Sequence, residues 1–108
     1  AERLNHAYTS LDLDKLSRLT FEPPDEDRFP LLAMARMAAT IGGTQPATLC
    51  GADDAATRWF INGGGTFGAM TDAIQEVMDN TSSTPVTTIE TVVEAHQKGF
   101  DHTVRLLD

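Results

Sequence analysis

The residues able to do chemistry in this 108-residue chain fall into a few small groups, and spacing decides what each is worth. Gly63-Gly64-Gly65-Thr66-Phe67-Gly68 satisfies G-x-G-x-x-G. That pattern cradles a pyrophosphate when a strand leads into it and a helix leads out. Here Arg58-Trp59-Phe60-Ile61 continues a helical pattern up to the glycines, so the expectation is a flexible interhelical loop. His6, His96 and His102 are the imidazoles a metal would use. His96 and His102 point in different directions on one helix, and no pair has the i, i+4 spacing of two ligands on one face. His96 falls on an apolar stripe and reads as a buried or half-buried histidine. Asp12 with Asp14, and Asp25-Glu26-Asp27, are carboxylate clusters of the kind that holds a hard cation weakly; solvated loop and helix-start charge account for them better. Asp53-Asp54 is read as negative charge early in a helix, where the macrodipole favours it. Cys50 is the single cysteine, which excludes an internal disulfide, and it reads as a small buried apolar residue rather than a nucleophile. No Ser-His-Asp or Cys-His set assembles from local motifs. The expected catalytic, cofactor-binding and metal-ligating residues within this segment are therefore none.

Composition narrows the class further. A net charge of −8, with no run of Lys or Arg, argues against a nucleic-acid partner, whose phosphates this surface would repel. The acidity reads as a solvated surface; its functional reading would be a basic protein partner. The apolar runs are too short to span a membrane. Ser10-Leu11 lacks the preceding Asp that an acyl-carrier attachment serine needs. Ala1-Glu2-Arg3-Leu4-Asn5 is neither a signal nor a transit peptide, and the missing initiator Met points to processing, an excised fragment or upstream sequence. A hydrophobic content of 41 % suits one domain that buries roughly 60–70 % of its unfolded surface.

The elements that must position these residues are helices. Residues 1–28 read as an extended arm with apolar contacts from Leu11, Leu13, Leu16 and Leu19, a possible helical turn at Asp14-Lys15-Leu16-Ser17, and little to pack against. A first helix starts near Phe29-Pro30, because proline suits the first turn. Its apolar set is Phe29, Leu32, Met34, Ala35, Met37, Ala38 and Ile41, and Gly42-Gly43 ends it. A second helix follows Thr44, its candidate cap, with Pro46 in the first turn. Ala47, Leu49, Cys50, Ala52, Ala55, Ala56, Trp59 and Phe60 line it, and so much alanine implies a closely approaching neighbour. A third helix runs from Phe67 to Met78 on Phe67, Met70, Ala73, Ile74, Val77 and Met78. After a polar loop, Thr87 and Glu90 make a capping box for a fourth helix, with a stripe of Ile89, Val92, Val93, His96, Phe100, Val104 and Leu107. Gly99 inside that helix costs about 1 kcal/mol relative to alanine; close packing or a local break would each account for it. No segment alternates at period two long enough to make a sheet. The fold expected is all-α, an antiparallel four-helix bundle-like domain over residues 29–108, carried behind the arm.

Leu19-Thr20-Phe21-Glu22-Pro23-Pro24-Asp25-Glu26-Asp27-Arg28-Phe29-Pro30 is the most specific string in the chain. Pro23 and Pro24 forbid helix and push Glu22 into extended geometry, while Asp25, Glu26 and Asp27 place charge before a helix start. With Leu11-Asp12-Leu13 ahead and Gly42-Gly43-Thr44-Gln45-Pro46-Ala47 behind, this string resembles the connector and C-terminal domain of the 1-deoxy-D-xylulose 5-phosphate reductoisomerase family. Glu2-Arg3-Leu4, the helix from Phe67 and Ile89-Glu90-Thr91-Val92 fit the same pattern. The chain departs from it at Cys50-Gly51 and Asp53-Asp54, at Gly64-Gly65, at Gly68-Ala69 and at His96. The extra glycines are expected to weaken helix ends.

The resemblance implies an oxidoreductase of isoprenoid precursor synthesis, dependent on NADPH and a divalent metal (Mg or Mn). The family's metal and substrate motifs lie upstream of the region represented here. It implies a homodimeric parent located in the bacterial cytoplasm or a plastid-type stroma. The segment itself would be a non-catalytic support for the central catalytic domain of the same chain, inactive alone. The alternative is a free-standing acidic helical interaction module derived from that domain.

Overall fold

A computed structural model describes residues 11–108 of the chain. The described residues are all-helical: α1 (Leu13–Leu16), α2 (Pro30–Ile41), α3 (Gln45–Ile61), α4 (Phe67–Asp79) and α5 (Ile89–Leu107). The four long helices match the four expected from periodicity. The fifth element is the single turn foreseen in the arm.

α3 is the centre of the bundle. It touches each of the other long helices and meets α5 over the largest surface, whereas α2 and α5 lie out of contact with each other. The buried core joins Ala52 and Ala56 of α3 to Met70, Ile74 and Val77 of α4, with Leu31, Met34, Leu49, Trp59, Met78 and Leu107 packed around it. Ile74 and Val77 are fully enclosed. The α4 face is the one that three- and four-residue spacing picks out, except that Phe67 stays exposed and stacks edge-on against Phe60 at 5.9 Å between ring centres.

The α3–α5 contact is made by backbone rather than by large side chains. A Cβ at Gly51 would lie 2.8 Å from the His96 carbonyl carbon and closer still to its oxygen; one at Gly99 would lie 3.1 Å from the Thr48 carbonyl carbon. The two glycines are reciprocal notches at one crossing. Thr48, Ala52 and Ala55 of α3 and Ala95 and Thr103 of α5 are buried around it. The hydroxyls of Thr48 and Thr103 donate to the carbonyls of Thr44 and Gly99, one turn back on their own helices, so both are satisfied without a partner across the interface. Close packing, and not a helix break, is therefore the reason for Gly99.

Several expectations are corrected. The buried line of α5 is Ala95, Gly99 and Thr103, while Ile89 and Val93 of the apolar stripe are exposed. Small residues win this face because only they admit the α3 backbone. α2 buries Ala38 alone, with Leu31 and Met34 half-buried and Leu32, Met37 and Ile41 exposed. Gly51 sits in the interior of α3, so it serves a crossing and weakens no helix end.

The helix ends are also informative. Thr66 caps α4, its hydroxyl accepting from the Ala69 N–H at 3.1 Å. α5 is capped by Thr88, which accepts from Thr91 N–H at 3.3 Å, one residue later than the expected Thr87. Thr87 instead faces the Thr91 hydroxyl at 3.2 Å. Glu90's carboxyl is held below its ordinary value by its own backbone N–H first and by the Thr88 hydroxyl second, with slight desolvation opposing. Thr44 makes no side-chain cap for α3; its hydroxyl is used elsewhere.

Every residue from Leu11 to Phe29 is exposed. The Cα radius of gyration is 18.8 Å, against roughly 13 Å for a compact domain of this size, because the arm leads away from the bundle.

Candidate functional site

Two places gather polar groups from different elements. The first is the junction where the α2–α3 turn meets the α4–α5 loop. Gly42 and Gly43 take φ of 71° and 57°, left-handed values that let the chain reverse within two residues. The reversal presses Gly43 against Ser83 and Thr84, where a Cβ would clash with the Thr84 backbone. Thr44 N–H donates to the Thr84 carbonyl, and Thr84 N–H donates to the Thr44 hydroxyl, both at 3.0 Å. That second bond is what Thr44 does in place of capping. The Ser83 hydroxyl donates to the Gly42 carbonyl at 2.9 Å, and the Gln45 amide to the Thr81 carbonyl at 2.8 Å. Beside these bonds a cleft of about 230 Å³ opens, lined by Thr44, Thr48, Thr81, Ser82, Thr84 and Thr91 together with Glu94, Ala95 and Lys98. It offers hydrogen bonds and one charge of each sign. No imidazole, thiol or carboxylate pair enters it, so its chemistry is that of a latch.

The second place is the glycine loop. Gly63 takes φ of 80°, and a Cβ on Gly64 or Gly65 would overlap the Trp59 indole. The glycines therefore seat the loop on an aromatic ring. α3 leads into the loop and α4 leads out, so the strand that a dinucleotide fingerprint requires is replaced by helix.

The remaining candidates stand apart. His96 and His102 are both half-buried on α5, and the His96 carbonyl, rather than its ring, is what meets Gly51. His6 lies outside the described residues, as do Glu2-Arg3-Leu4 and Ser10. Asp12 pairs with Lys15 at 2.9 Å on the exposed arm. Asp25 closes a turn, its side chain accepting from Arg28 N–H at 3.0 Å, and Glu26 pairs with Arg36 of α2. Asp53 and Asp54 lie in the middle of α3 rather than at its start, beyond reach of the dipole, which acts within the first turn. Asp54 instead forks onto Arg58, two bonds of 2.8 Å, and that guanidinium sits 5.4 Å from the Phe100 ring centre. Cys50 is exposed, which overturns its expected burial; Gly51 and Ala52 take the inward positions beside it. Among the described residues, no three His, Cys, Asp or Glu side chains stand together as a metal site. No helix among them is long and apolar enough to cross a membrane.

Sequence reasoning missed the junction because its partners are small polar side chains and backbone groups 36 to 41 positions apart in the chain, with no local periodicity to betray them. The left-handed pair Gly42-Gly43 was the available signal.

Fold and polar groups together define an all-α helical domain tied by a backbone crossing and a polar latch. A model of the DXP reductoisomerase C-terminal domain matches residues 1–100, and the chain belongs to that family. The 1-deoxy-D-xylulose 5-phosphate reductoisomerase of Stutzerimonas stutzeri is 37 % identical over 100 residues, which is 93 % of this chain and 25 % of the relative. That of Agrobacterium fabrum is 39 % identical over 107 residues, 98 % of this chain and 27 % of the relative. The solved structure of the Zymomonas mobilis enzyme in complex with NADPH superposes with a TM-score of 0.85 at 25 % identity, covering 99 % of this chain and 28 % of that one. The chain thus spans about a quarter of the length of the relatives it matches.

Proposed function

We propose that this chain acts as the C-terminal helical domain of an NADPH-dependent 1-deoxy-D-xylulose 5-phosphate reductoisomerase, in which it supports the central catalytic domain and contributes no catalytic, cofactor-binding or metal-ligating residue. The observation that carries the reading is the match over nearly the whole chain to the family's C-terminal domain and to about a quarter of much longer relatives. In this reading residues 1–28 are the connector and residues 29–108 the domain. The parent is a cytoplasmic homodimer that holds NADPH and Mg or Mn on other parts of the polypeptide. The residues described here do not fit either group: the glycine loop faces Trp59, and the carboxylates are dispersed or paired with cations. The interaction-module alternative is not favoured, because the chain matches about a quarter of much longer relatives.

The test is a hybrid in which this chain replaces the matching quarter of the Zymomonas mobilis enzyme. Consumption of NADPH with 1-deoxy-D-xylulose 5-phosphate is expected to persist, and a folded hybrid without turnover overturns the reading. In parallel, titration of the 108-residue chain with NADPH is expected to leave Trp59 fluorescence without a saturable change.

A further inference from the structure

α2 is the long helix that enters the bundle core least, with Ala38 as its one buried residue. Pro30, Ala33, Met34 and Met37 line an apolar groove of about 250 Å³ between α2 and α4, bordered on the α4 side by Gln75 and Asp79. Spacing of three and four puts the four α2 residues on one stripe, and Ile41 extends it by a turn. Met37 is 63 % exposed and Ile41 53 %, so this stripe opens outward. Methionine is unbranched and soft, and it fits itself to varied apolar partners. The 12 residues of α2 give the stripe a length of about 18 Å, room for three turns of another helix.

The α4 border of this groove carries one sign of charge. Asp72, Glu76 and Asp79 recur at intervals of four and three on one exposed face of α4. α4 contains no Lys or Arg, and among the described residues none of these three carboxylates enters an ion pair. Asp72 and Glu76 are a like-charged i, i+4 pair, which weakens a helix until a cation lies against it. Arg36, the one cation of α2, is held by Glu26. The other apolar groove along α2, on its α3 side, is bordered by a single charge, Asp53. Apolar floor and acidic border therefore come together only between α2 and α4.

We infer that the α2–α4 groove docks a basic amphipathic helix of a partner protein. The apolar side of that helix lies on Met34, Met37 and Ile41. Its Lys or Arg side chains, spaced three and four apart along one edge, meet Asp72, Glu76 and Asp79. In helix-in-groove recognition the apolar anchors supply affinity, and the charges set orientation and partner choice. The net charge of −8 draws such a segment in at long range, and the acidic row decides which face it finds.

The test uses the Zymomonas hybrid and a fluorescent amphipathic Leu/Lys peptide of about 15 residues, long enough to span the groove. Anisotropy is expected to show saturable binding that weakens as salt is raised. The same peptide with Glu in place of Lys is expected to bind at least about tenfold more weakly. Asp72→Asn with Glu76→Gln should weaken the Lys peptide about tenfold. Met37→Ser, which changes no charge, should weaken it about fivefold through the lost apolar contact. Glu94→Gln with Asp101→Asn removes as much charge from α5 and should leave binding unchanged. Equal weakening by the α5 pair would show that net charge alone attracts the peptide, and it overturns the inference. So does the absence of saturable binding, which is also the result if the rest of the hybrid covers the groove. Self-association of the hybrid that Met37→Ser abolishes would make a second copy the occupant and overturns it too. If Met37→Ser does not fold, the exposed α4 pair is read against the α5 pair alone. Turnover is scored separately: a hybrid that binds the peptide without turnover counts against the proposed function and not against the groove.

Discussion

The α3–α5 crossing and the arm solve opposite problems. At the crossing, Gly51 and Gly99 remove side chains so that two helices meet backbone to backbone, and the residues buried there are small: Thr48, Ala52, Ala55, Ala95 and Thr103. In the arm, large apolar side chains are present and nothing in the bundle receives them. The lesson is that hydrophobicity alone does not locate the core of this protein. Burial follows shape where two helices must close, and the large residues of the arm stay outside the bundle.

The comparison breaks first at the glycines. Gly51→Ala and Gly99→Ala would each bring the roughly 1 kcal/mol that alanine gains over glycine in an exposed helix. Here the added Cβ meets a carbonyl of the other helix, and overpacking of this kind costs about 1–3 kcal/mol or more. Steric cost wins because the obstructing atoms are backbone, which places it at the upper end of that range or beyond, so both variants are expected to lower denaturant stability by at least about 1–2 kcal/mol net. Because both act on one crossing, the double variant should fall short of or exceed the sum by at least about 0.5 kcal/mol. Stabilisation by either single variant would show that the helices do not close here.

The cap of α4 comes next. Thr66→Ala removes the acceptor for Ala69 N–H and should cost about 1 kcal/mol in the same assay. In the isolated chain, Leu19→Asp and Phe21→Asp are expected to stay within about 0.5 kcal/mol of the parent, since both side chains are already in water. A larger loss would mean that the arm folds onto the bundle in solution. The smallest effect belongs to Glu90. Its carboxyl is depressed in the folded state, so its stabilisation is present above the ordinary value of 4.5 and is lost as pH falls through the folded value. Glu90→Gln should therefore lower the melting temperature slightly at neutral pH, where the carboxylate contributes, and flatten its fall below that pH.

Much of the fold was legible locally. Pro30, Pro46, Gly42 and Gly63 punctuate the chain where helices begin and end. The α4 stripe was readable because its partners are bulky and its spacing regular. The α5 stripe misled for the converse reason: the larger apolar residues advertise one face while the neighbour needs the small one. Cys50 was misplaced on the same ground, since its burial depends on which way Gly51 must point. The hydroxyl latch could not be read at all, because Thr44, Gln45, Ser83 and Thr84 become partners only when α4 returns the chain to the start of α3.

By itself the sequence determined that the chain is helical, where its helices stop, and that an extended proline-stiffened arm precedes them. Those follow from backbone dihedral limits and local periodicity, which act within a few residues. Only the tertiary structure decided which face of each helix is inside and why Gly51 and Gly99 are glycines. These are matters of which surfaces meet across long stretches of chain, and steric fit between backbones leaves no mark in the period of a single helix.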